Sequence, residues 1–146
     1  MCGIAGCWEF SQERGRQDLA AIAGKMTGAL AHRGPDGEGT WVDERAGIAL
    51  GLQRLAIVDP TDTGQQPMVS PDGRYVFIVN GELYNFRELR EDLAREGAEF
   101  TGSSDSEVML QAVRTWGLDR ALDRFTGMFA FALWNAAGHA DRGQAQ

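Results

Sequence analysis

Two continuous apolar segments constrain the fold more than any other feature of the sequence. Residues 75–79 read Tyr-Val-Phe-Ile-Val, and residues 128–134 form a second apolar run near the end of the chain. Both are rich in β-branched or aromatic residues, which favour strands. A strand with one wet face alternates polar and apolar residues, whereas a continuous apolar run indicates burial on both faces. The sequence therefore predicts a sheet covered on both sides, in a layered arrangement of helices and strands.

The region between the N-terminus and the first of these strands contains a helix and two loops. The apolar side chains of residues 18–30 recur with helical spacing, and Asp18 is the predicted N-cap. Glycine and proline break the pattern in two segments that are predicted to be loops, 32–39 and 61–71. Two short apolar runs stand between these loops, at 47–50 and 55–58.

Two more helices are predicted from their capping residues. Asn85 and Ser104 are the predicted N-caps, and Glu88 and Glu107 follow them three residues later, as in a capping box. Gly97 is predicted to end the first of these helices.

Composition excludes several classes of protein. The chain has 146 residues, enough for one domain, and its net charge of −7 would repel the backbone of a nucleic acid. No apolar run approaches the roughly 18 residues that a membrane span needs, and the N-terminus has no signal-peptide pattern. The cysteines, Cys2 and Cys7, both lie near the start, which argues for the reducing cytoplasm against a secreted disulfide scaffold. No nucleic-acid or membrane partner is expected, and Cys7 is interpreted as a core or incidental residue.

Cys2 is the residue with the clearest chemical potential. Methionine aminopeptidase removes Met1 when the second residue is small, which would leave a cysteine at the N-terminus. Such a residue combines a thiol nucleophile with an α-amine, whose ordinary pKa of about 7.7–8.0 leaves part of it neutral as a proton acceptor. A Met-Cys pair is also compatible with a small buried residue near a frayed terminus. The pair alone therefore does not distinguish a nucleophile from a structural cysteine.

Four further residues indicate a binding or catalytic site only when they are taken together. Asn80 and Gly81 follow the strongest strand, where an amide side chain beside a backbone N–H can hold an oxyanion; a plain turn that ends the strand is the alternative. Arg54 offers a bidentate cation for a carboxylate, and Asp105 offers an anion for an ammonium group, as an α-amino acid requires. The alternatives are a surface arginine and an acid that complements a helix dipole.

Metal and nucleotide sites are not predicted. His32 and His139 match no common zinc spacing with the two cysteines. The glycines of residues 34–39 do not match a phosphate-binding loop.

In their order along the chain, seven segments resemble the glutaminase domain of class II glutamine amidotransferases, which are N-terminal-nucleophile hydrolases. The resemblance is greatest to glutamine-hydrolysing asparagine synthetases, and His-Arg-Gly-Pro-Asp is typical of that branch. The segments are Met-Cys-Gly-Ile-Ala-Gly (1–6), His-Arg-Gly-Pro-Asp (32–36), Arg-Leu-Ala-Ile-Val-Asp (54–59), Gln-Gln-Pro-Met (65–68), Asn-Gly-Glu-Leu-Tyr-Asn (80–85), Ser-Asp-Ser-Glu-Val (104–108) and Gly-Met-Phe-Ala-Phe-Ala-Leu-Trp (127–134).

The resemblance implies an α+β fold, the four-layer αββα sandwich of N-terminal-nucleophile hydrolases, and a set of roles. Cys2 would attack the side-chain amide carbon of L-glutamine, with its α-amine as general base, and Asn80 with the N–H of Gly81 would hold the oxyanion. The products are glutamate and ammonia, and the step needs no cofactor or metal. The remaining implied residues bind substrate: Arg54 the α-carboxylate, Asp105 and Glu82 the α-ammonium group, and the backbone of Leu55, Ala56, Ile57 and Val58 the rest.

The sequence departs from the family after Trp134. Relatives continue with further strands, whereas residues 135–143 here are small and polar. We therefore expect an incomplete glutaminase domain over residues 1–135 that lacks its last strands, and a divergent, disordered tail over 136–146. The synthetase domain, with its Ser-Gly-Gly-x-Asp-Ser loop, is not in the sequence, and ATP and Mg²⁺ would belong to it.

Three alternatives to a glutaminase of this kind remain open. The chain could be a non-catalytic module that binds glutamine or a partner synthetase. It could be the amidotransferase domain of a related synthetase that does not make asparagine. It could also be a pseudogene product without a role.

Overall fold

The computed structural model describes residues 2–11, 13–56 and 62–137. The first sheet consists of β1 (Gly3–Trp8), β2 (Gly37–Asp43) and β3 (Ile48–Arg54), antiparallel in the order β1-β3-β2. The second sheet consists of β4 (Met68–Val69), β5 (Tyr75–Leu83) and β6 (Gly127–Asn135), antiparallel in the order β4-β5-β6. The helices are α1 (Arg16–Gly28), α2 (Phe86–Arg95), α3 (Asp105–Trp116) and α4 (Leu118–Arg124), with 3-10 turns at Ala31–Arg33 and Asp62–Gly64.

These elements form four layers, as the predicted αββα sandwich requires. Helix α1 packs on the outer face of the first sheet, where Leu19 and Ala23 meet Val42 and Ala49. Side chains of the two sheets meet in the middle of the molecule, and α2 and α3 cover the outer face of the second sheet. No described helix is long and apolar enough to cross a membrane.

Strand β5 shows why a continuous apolar run requires this architecture. Val76 and Ile78 face the first sheet, whereas Phe77 and Val79 face α2 and α3. All four side chains are buried, so the prediction of a strand covered on both faces is confirmed for β5. Strand β6 differs, because its side chains are partly exposed and β5 is its only partner among the described residues.

The predicted end of β5 at Asn80-Gly81 is wrong. The strand continues to Leu83, and Gly81 pairs with Phe129 and Leu83 with Gly127 in β6. Ladder hydrogen bonds with a long neighbouring strand outweigh the local turn preference of Asn-Gly. Consequently Asn80 and Gly81 lie on a rigid strand.

The first sheet is harder to see in the sequence. The loop prediction for 32–39 fails at its end, because Gly37 already begins β2, and the run at 47–50 belongs to the longer β3. Leu55 and Ala56 lie beyond β3 and not in a strand, and positions 57 and 58 lie outside the described residues. Strands β1 and β2 and helix α4 are not predicted, since their residues show no clear periodicity.

The helix caps are predicted with mixed success. Helix α1 begins after Gly15, so Asp18 lies in its first turn and is not the N-cap. Asn85 is the N-cap residue of α2, but its amide bonds Thr126 N–H and the Arg124 carbonyl oxygen, so the capping box with Glu88 is wrong. Tertiary partners have taken over the amide that would otherwise cap the helix.

Ser104 is confirmed as the N-cap of α3. Its Oγ accepts a hydrogen bond from the N–H of Glu107 at 3.2 Å. The buried carboxylate of Glu107 accepts from the N–H groups of Thr101 and Gly102, so only the Ser104 half of the capping box forms. The predicted boundary at residue 135 coincides with the end of β6, whereas 138–146 and His139 lie outside the described residues.

Candidate active site

A cavity of about 230 Å³ lies where the C-terminal end of β3 approaches the second half of β5 and the start of α3. Every predicted site residue within the described part of the chain lines it: Cys2, Arg54, Leu55, Ala56, Asn80, Gly81, Glu82 and Asp105. Two predicted residues, Ile57 and Val58, lie outside the described residues. Side chains that are up to 103 residues apart in the chain, as Cys2 and Asp105 are, thus meet at one place.

Cys2 is half-buried at the start of β1, and its thiol is free. Its Sγ lies 3.3 Å from the N–H of Leu55, which donates to it, and the thiol reaches the carbonyl oxygen of the same residue at 3.6 Å. The Nε of Arg33 donates to the carbonyl oxygen of Cys2 at 3.1 Å. These contacts hold the sulfur at the cavity.

The segment that follows β3 is held in place by residues of the His-Arg-Gly-Pro-Asp motif. The carboxylate of Asp36 accepts from the N–H of Ala56 at 2.9 Å. The backbone N–H of Asp36 donates to the carbonyl oxygen of Arg54 at 3.0 Å. A Cβ on Gly34 would lie 2.5 Å from the carbonyl carbon of Arg54, so only glycine fits this close approach. The sequence predicts no individual role for Arg33 or Asp36, although their motif carries part of the family resemblance.

Arg54 is buried, with 7% of its surface exposed. This burial excludes the alternative of a surface arginine. Its guanidinium donates to Oε1 of Gln65 at 3.3 Å, and the Nε2 of Gln65 donates in turn to the carbonyl oxygen of Glu38 at 3.0 Å. A buried guanidinium beside a cavity can bind a carboxylate through two parallel hydrogen bonds.

Gly81 has a φ of 151°, a conformation that residues with a side chain rarely adopt. A Cβ there would lie 2.2 Å from the carbonyl oxygen of Met128. The Oδ1 of Asn80 is buried and has no hydrogen-bond partner in the part of the chain that the structure describes. Buried polar atoms are nearly always paired in folded proteins, so an unpaired one beside a cavity is typical of a ligand site.

Asp105 is 8% exposed and lies in the first turn of α3. Its Oδ2 accepts from the N–H of Leu83 at 2.9 Å, and its Oδ1 receives the hydroxyl of Ser106 at 3.5 Å. Glu82 also lines the cavity but is exposed. The lining thus combines one cation with two carboxylates, which suits a ligand that carries charges of both signs.

Six residues that line the cavity are absent from the predicted set: Gly64, Gln66, Val79, Ser104, Ser106 and Met128. Of these, Gln66 lies in the Gln-Gln-Pro-Met segment and Ser106 in the Ser-Asp-Ser-Glu-Val segment, so the motifs already contained the signal. Among the described residues, no group of three or more histidine, cysteine, aspartate or glutamate side chains is placed to hold a metal ion.

Known proteins resemble this chain over most of its length. Asparagine synthetase [glutamine-hydrolyzing] 1 of Bacillus subtilis is 38% identical over 139 residues, which are 95% of this chain and 21% of that protein. A putative asparagine synthetase [glutamine-hydrolyzing] of Mycobacterium tuberculosis is 41% identical over 126 residues, which are 81% of this chain and 19% of that protein. The chain therefore spans about a fifth of the length of these relatives.

A solved structure shows the same fold. The glutamine phosphoribosylpyrophosphate amidotransferase of Bacillus subtilis superposes with a TM-score of 0.67 at 22% identity, over 92% of this chain and 34% of that one. The family profile described as the glutamine amidotransferase domain matches residues 1–141. With this match and the relatives at 38% and 41% identity, the chain belongs to the glutamine amidotransferase domain family.

Proposed function

We propose that this chain hydrolyses the side-chain amide of L-glutamine to glutamate and ammonia, as the amidotransferase part of an asparagine synthetase. The observation that carries the proposal is the arrangement of Cys2, Asn80, Arg54 and Asp105 around one cavity. The family supports the chemistry, and the names of the relatives, which are glutamine-hydrolysing asparagine synthetases, support the pathway.

The proposed reaction begins once removal of Met1 has freed the α-amine of Cys2. The amine takes the thiol proton, and Sγ attacks the side-chain amide carbon of glutamine. The N–H of Leu55, 3.3 Å from the sulfur, helps to hold it at the cavity. The oxyanion that forms accepts hydrogen bonds from the side-chain amide of Asn80 and the N–H of Gly81. The carbon–nitrogen bond then breaks, the protonated amine returns its proton to the departing ammonia, and water hydrolyses the glutamyl thioester.

Recognition of the substrate falls to the charged residues of the cavity. In the proposed complex Arg54 binds the α-carboxylate, and Asp105 with Glu82 binds the α-ammonium group. The backbone of residues 55–58 lines the remainder of the pocket. Burial of Arg54 and Asp105 supports these roles, because ion pairs and charged hydrogen bonds are stronger where water is excluded.

The other steps of the pathway are assigned to partners. Glutamine hydrolysis in this proposal needs no cofactor, whereas ATP and Mg²⁺ serve a synthetase domain that converts aspartate to asparagine with the released ammonia. We assign the reaction to the cytoplasm, because both cysteines are free thiols. The acidic net charge of −7 fits the expectation that neither nucleic acid nor a membrane is a partner.

The test is a glutaminase assay with a matched pair of cysteine variants. The purified chain is incubated with L-glutamine, and glutamate release is measured together with the intact mass, which should lack Met1. We expect Cys2→Ala to lower the rate at least about 10⁴-fold, because the nucleophile is lost. Cys7→Ala is the control, since Cys7 packs beneath α1 and not at the cavity.

Two outcomes would contradict the proposal. A folded wild-type chain that releases no glutamate is not a glutaminase, and calorimetric binding of glutamine without turnover would identify a binding module in its place. Equal loss of activity in both cysteine variants would show that the thiol of Cys2 has no special role.

A further inference from the structure

A chain of buried hydrogen bonds runs behind the cavity and ends at Asp105. The N–H of Val79 donates to Oε1 of Gln66 at 2.7 Å, and Nε2 of Gln66 donates to Oγ of Ser106 at 3.2 Å. The hydroxyl of Ser106 lies 3.5 Å from Oδ1 of Asp105, and Oδ2 of Asp105 accepts from the N–H of Leu83 at 2.9 Å. Gln66 is 5% exposed, and Ser106 and Asp105 are each 8% exposed.

The direction of this chain is fixed at every step. A backbone N–H can only donate, so Gln66 must turn its carbonyl oxygen towards Val79 and its NH₂ group towards Ser106. Ser106 has a single hydroxyl proton and already accepts at its oxygen from Gln66, so that proton is directed to Asp105. Both carboxylate oxygens of Asp105 are therefore held from behind, by Ser106 on one side and by Leu83 on the other.

We propose that Gln66 and Ser106 are positioning residues that orient the carboxylate of Asp105 for the α-ammonium group of glutamine. This inference rests on the proposed function. A carboxylate that is fixed before the substrate arrives loses less side-chain entropy on binding, and each further hydrogen bond in a buried chain polarises the next. Neither residue is assigned to the amide bond that breaks.

The consequence is a selective effect on ligands that carry the α-ammonium group. Loss of the Ser106 hydroxyl should weaken the hold on L-glutamine and on the product L-glutamate. It should leave the affinity for glutarate, which is L-glutamate without its amine, unchanged. A general collapse of the pocket would weaken the binding of all three ligands equally.

The experiment measures both kinetics and binding of the 146-residue chain. We expect Ser106→Ala to raise the KM for L-glutamine about tenfold, as for one lost hydrogen bond to a charged group, with kcat within about threefold of wild type. The dissociation constant of L-glutamate, from an NMR titration, should rise by the same factor of about ten, and that of glutarate by less than about twofold. Ser106→Thr, which keeps the hydroxyl, should restore most of the affinity.

Gln66→Met tests the next step of the chain, with Gln111→Met as its control. Gln111 is 5% exposed, like Gln66, but its Nε2 bonds the carbonyl oxygen of Glu99 and it does not line the cavity. We expect Gln66→Met, like Ser106→Ala, to weaken the binding of L-glutamate. Because Gln66 acts on Asp105 through Ser106, the double variant should bind L-glutamate no more weakly than the weaker of the two single variants. Gln111→Met should leave the ratio of the dissociation constants of L-glutamate and glutarate unchanged.

The outcomes separate this inference from the proposed function. If Ser106→Ala weakened the binding of L-glutamate and glutarate equally, or changed neither, the inference would be overturned even if the wild type hydrolyses glutamine. A wild type that binds L-glutamate no better than glutarate would overturn it as well. A wild type with the expected binding pattern but no glutamate release would leave the positioning role intact and refute the proposed hydrolysis.

Discussion

The wall of the cavity that carries Cys2 and the wall that carries Asn80 and Asp105 hold their polar groups in different ways. We call residues 2 and 54–56 the loop wall, and residues 80–82 of β5 with 104–106 of α3 the strand wall. On the loop wall the hydrogen bonds of the half-buried thiol, among the described residues, are with the backbone of Leu55 alone. On the strand wall Ser104, Asp105 and Ser106 are all at least nine-tenths buried. Ser106 donates to Asp105, which also accepts from the N–H of Leu83, and Ser104 accepts from the N–H of Glu107.

This difference separates the proposed nucleophile, Cys2, from polar groups that are built into the core. The loop wall presents the thiol that we propose as nucleophile, on a half-buried residue. The strand wall presents groups that belong to the core of the second sheet and its covering helices. We therefore expect changes to the loop wall to alter the rate with little effect on stability, and changes to the strand wall to alter both.

After loss of the nucleophile in Cys2→Ala, the largest effect is expected from Gly81→Ala in the strand wall. The φ of 151° is strained for alanine, and its Cβ would lie 2.2 Å from the carbonyl oxygen of Met128 in β6. We expect the free energy of unfolding to fall by about 3 kcal/mol, and kcat to fall by at least about 10²-fold because an oxyanion donor is displaced. Urea denaturation and the glutaminase assay measure the two losses.

Gly73→Ala is the matched control for that variant. Gly73 also has a positive φ, of 69°, but a Cβ there would meet nothing within 4 Å beyond its chain neighbours, and the residue is remote from the cavity. The substitution should cost only about 1 kcal/mol and leave kcat unchanged. If Gly81→Ala behaved in the same way, the close packing of β5 on β6 would not be what fixes the strand wall.

Arg33→Met, which changes a residue bonded to the loop wall, should lower the rate and leave the stability nearly unchanged. The variant removes the hydrogen bond from Nε to the carbonyl oxygen of Cys2, so the thiol is less well placed. We expect kcat to fall about ten- to a hundredfold, as for a displaced reacting group, with the melting temperature within about 2 °C of wild type. Arg45→Met, at an exposed arginine between β2 and β3, is the control and should change neither. A loss of stability as large as the loss of rate would contradict the distinction between the walls.

Ser104→Ala probes stability on the strand wall. Its Oγ caps α3 through the N–H of Glu107, and loss of an N-cap costs about 1 kcal/mol. Because Asp105 begins the same helix, we also expect KM for L-glutamine to rise, by about two- to threefold. Ser104→Asp, which can also cap, should recover the stability measured by thermal unfolding. An unchanged melting temperature in Ser104→Ala would show that the cap contributes nothing here.

The smallest effect is expected at Asp72, which belongs to neither wall. Hydrogen bonds from the Ser70 hydroxyl and the Arg74 N–H, with the charge of Arg114 nearby, lower the pKa of this carboxyl below its usual 3.8. The folded state thus favours the ionised form, which contributes stability above the usual pKa and loses it as the pH falls through the lowered one. Asp72→Asn should lower stability at pH 7 by less than about 1 kcal/mol, since the group is exposed.

The pH dependence provides the check on that variant. Thermal unfolding of wild type and Asp72→Asn should differ at pH 7, and the difference should disappear as the pH falls through the lowered pKa, because protonation removes the charge of the carboxyl. Glutaminase activity should be equal in the two proteins at pH 7. A difference in stability that did not shrink as the pH fell would assign the effect to packing and not to charge.

The sequence predicts the site better than it predicts the elements around it. The motifs name eight residues that the structure brings to one cavity, because each motif combines a chemically necessary side chain with its local backbone signal. The predictions of secondary structure fail at Asn80-Gly81, where hydrogen bonds with β6 outweigh the local turn preference. They fail again at Asn85, whose side-chain amide bonds Thr126 and Arg124. In both cases a tertiary partner outweighs a local preference.

Local sequence determined the doubly covered strand β5 and the capped start of α3, and it named the thiol that we propose as nucleophile. A continuous apolar run, an N-cap serine and a cysteine after Met1 each carry their meaning within a few residues. Only the tertiary structure decided that Gln66 would face Ser106 and that Arg33 would hold Cys2, since those hydrogen bonds join residues 40 and 31 positions apart. Such pairings depend on how sheets and helices stack, and no local preference encodes that.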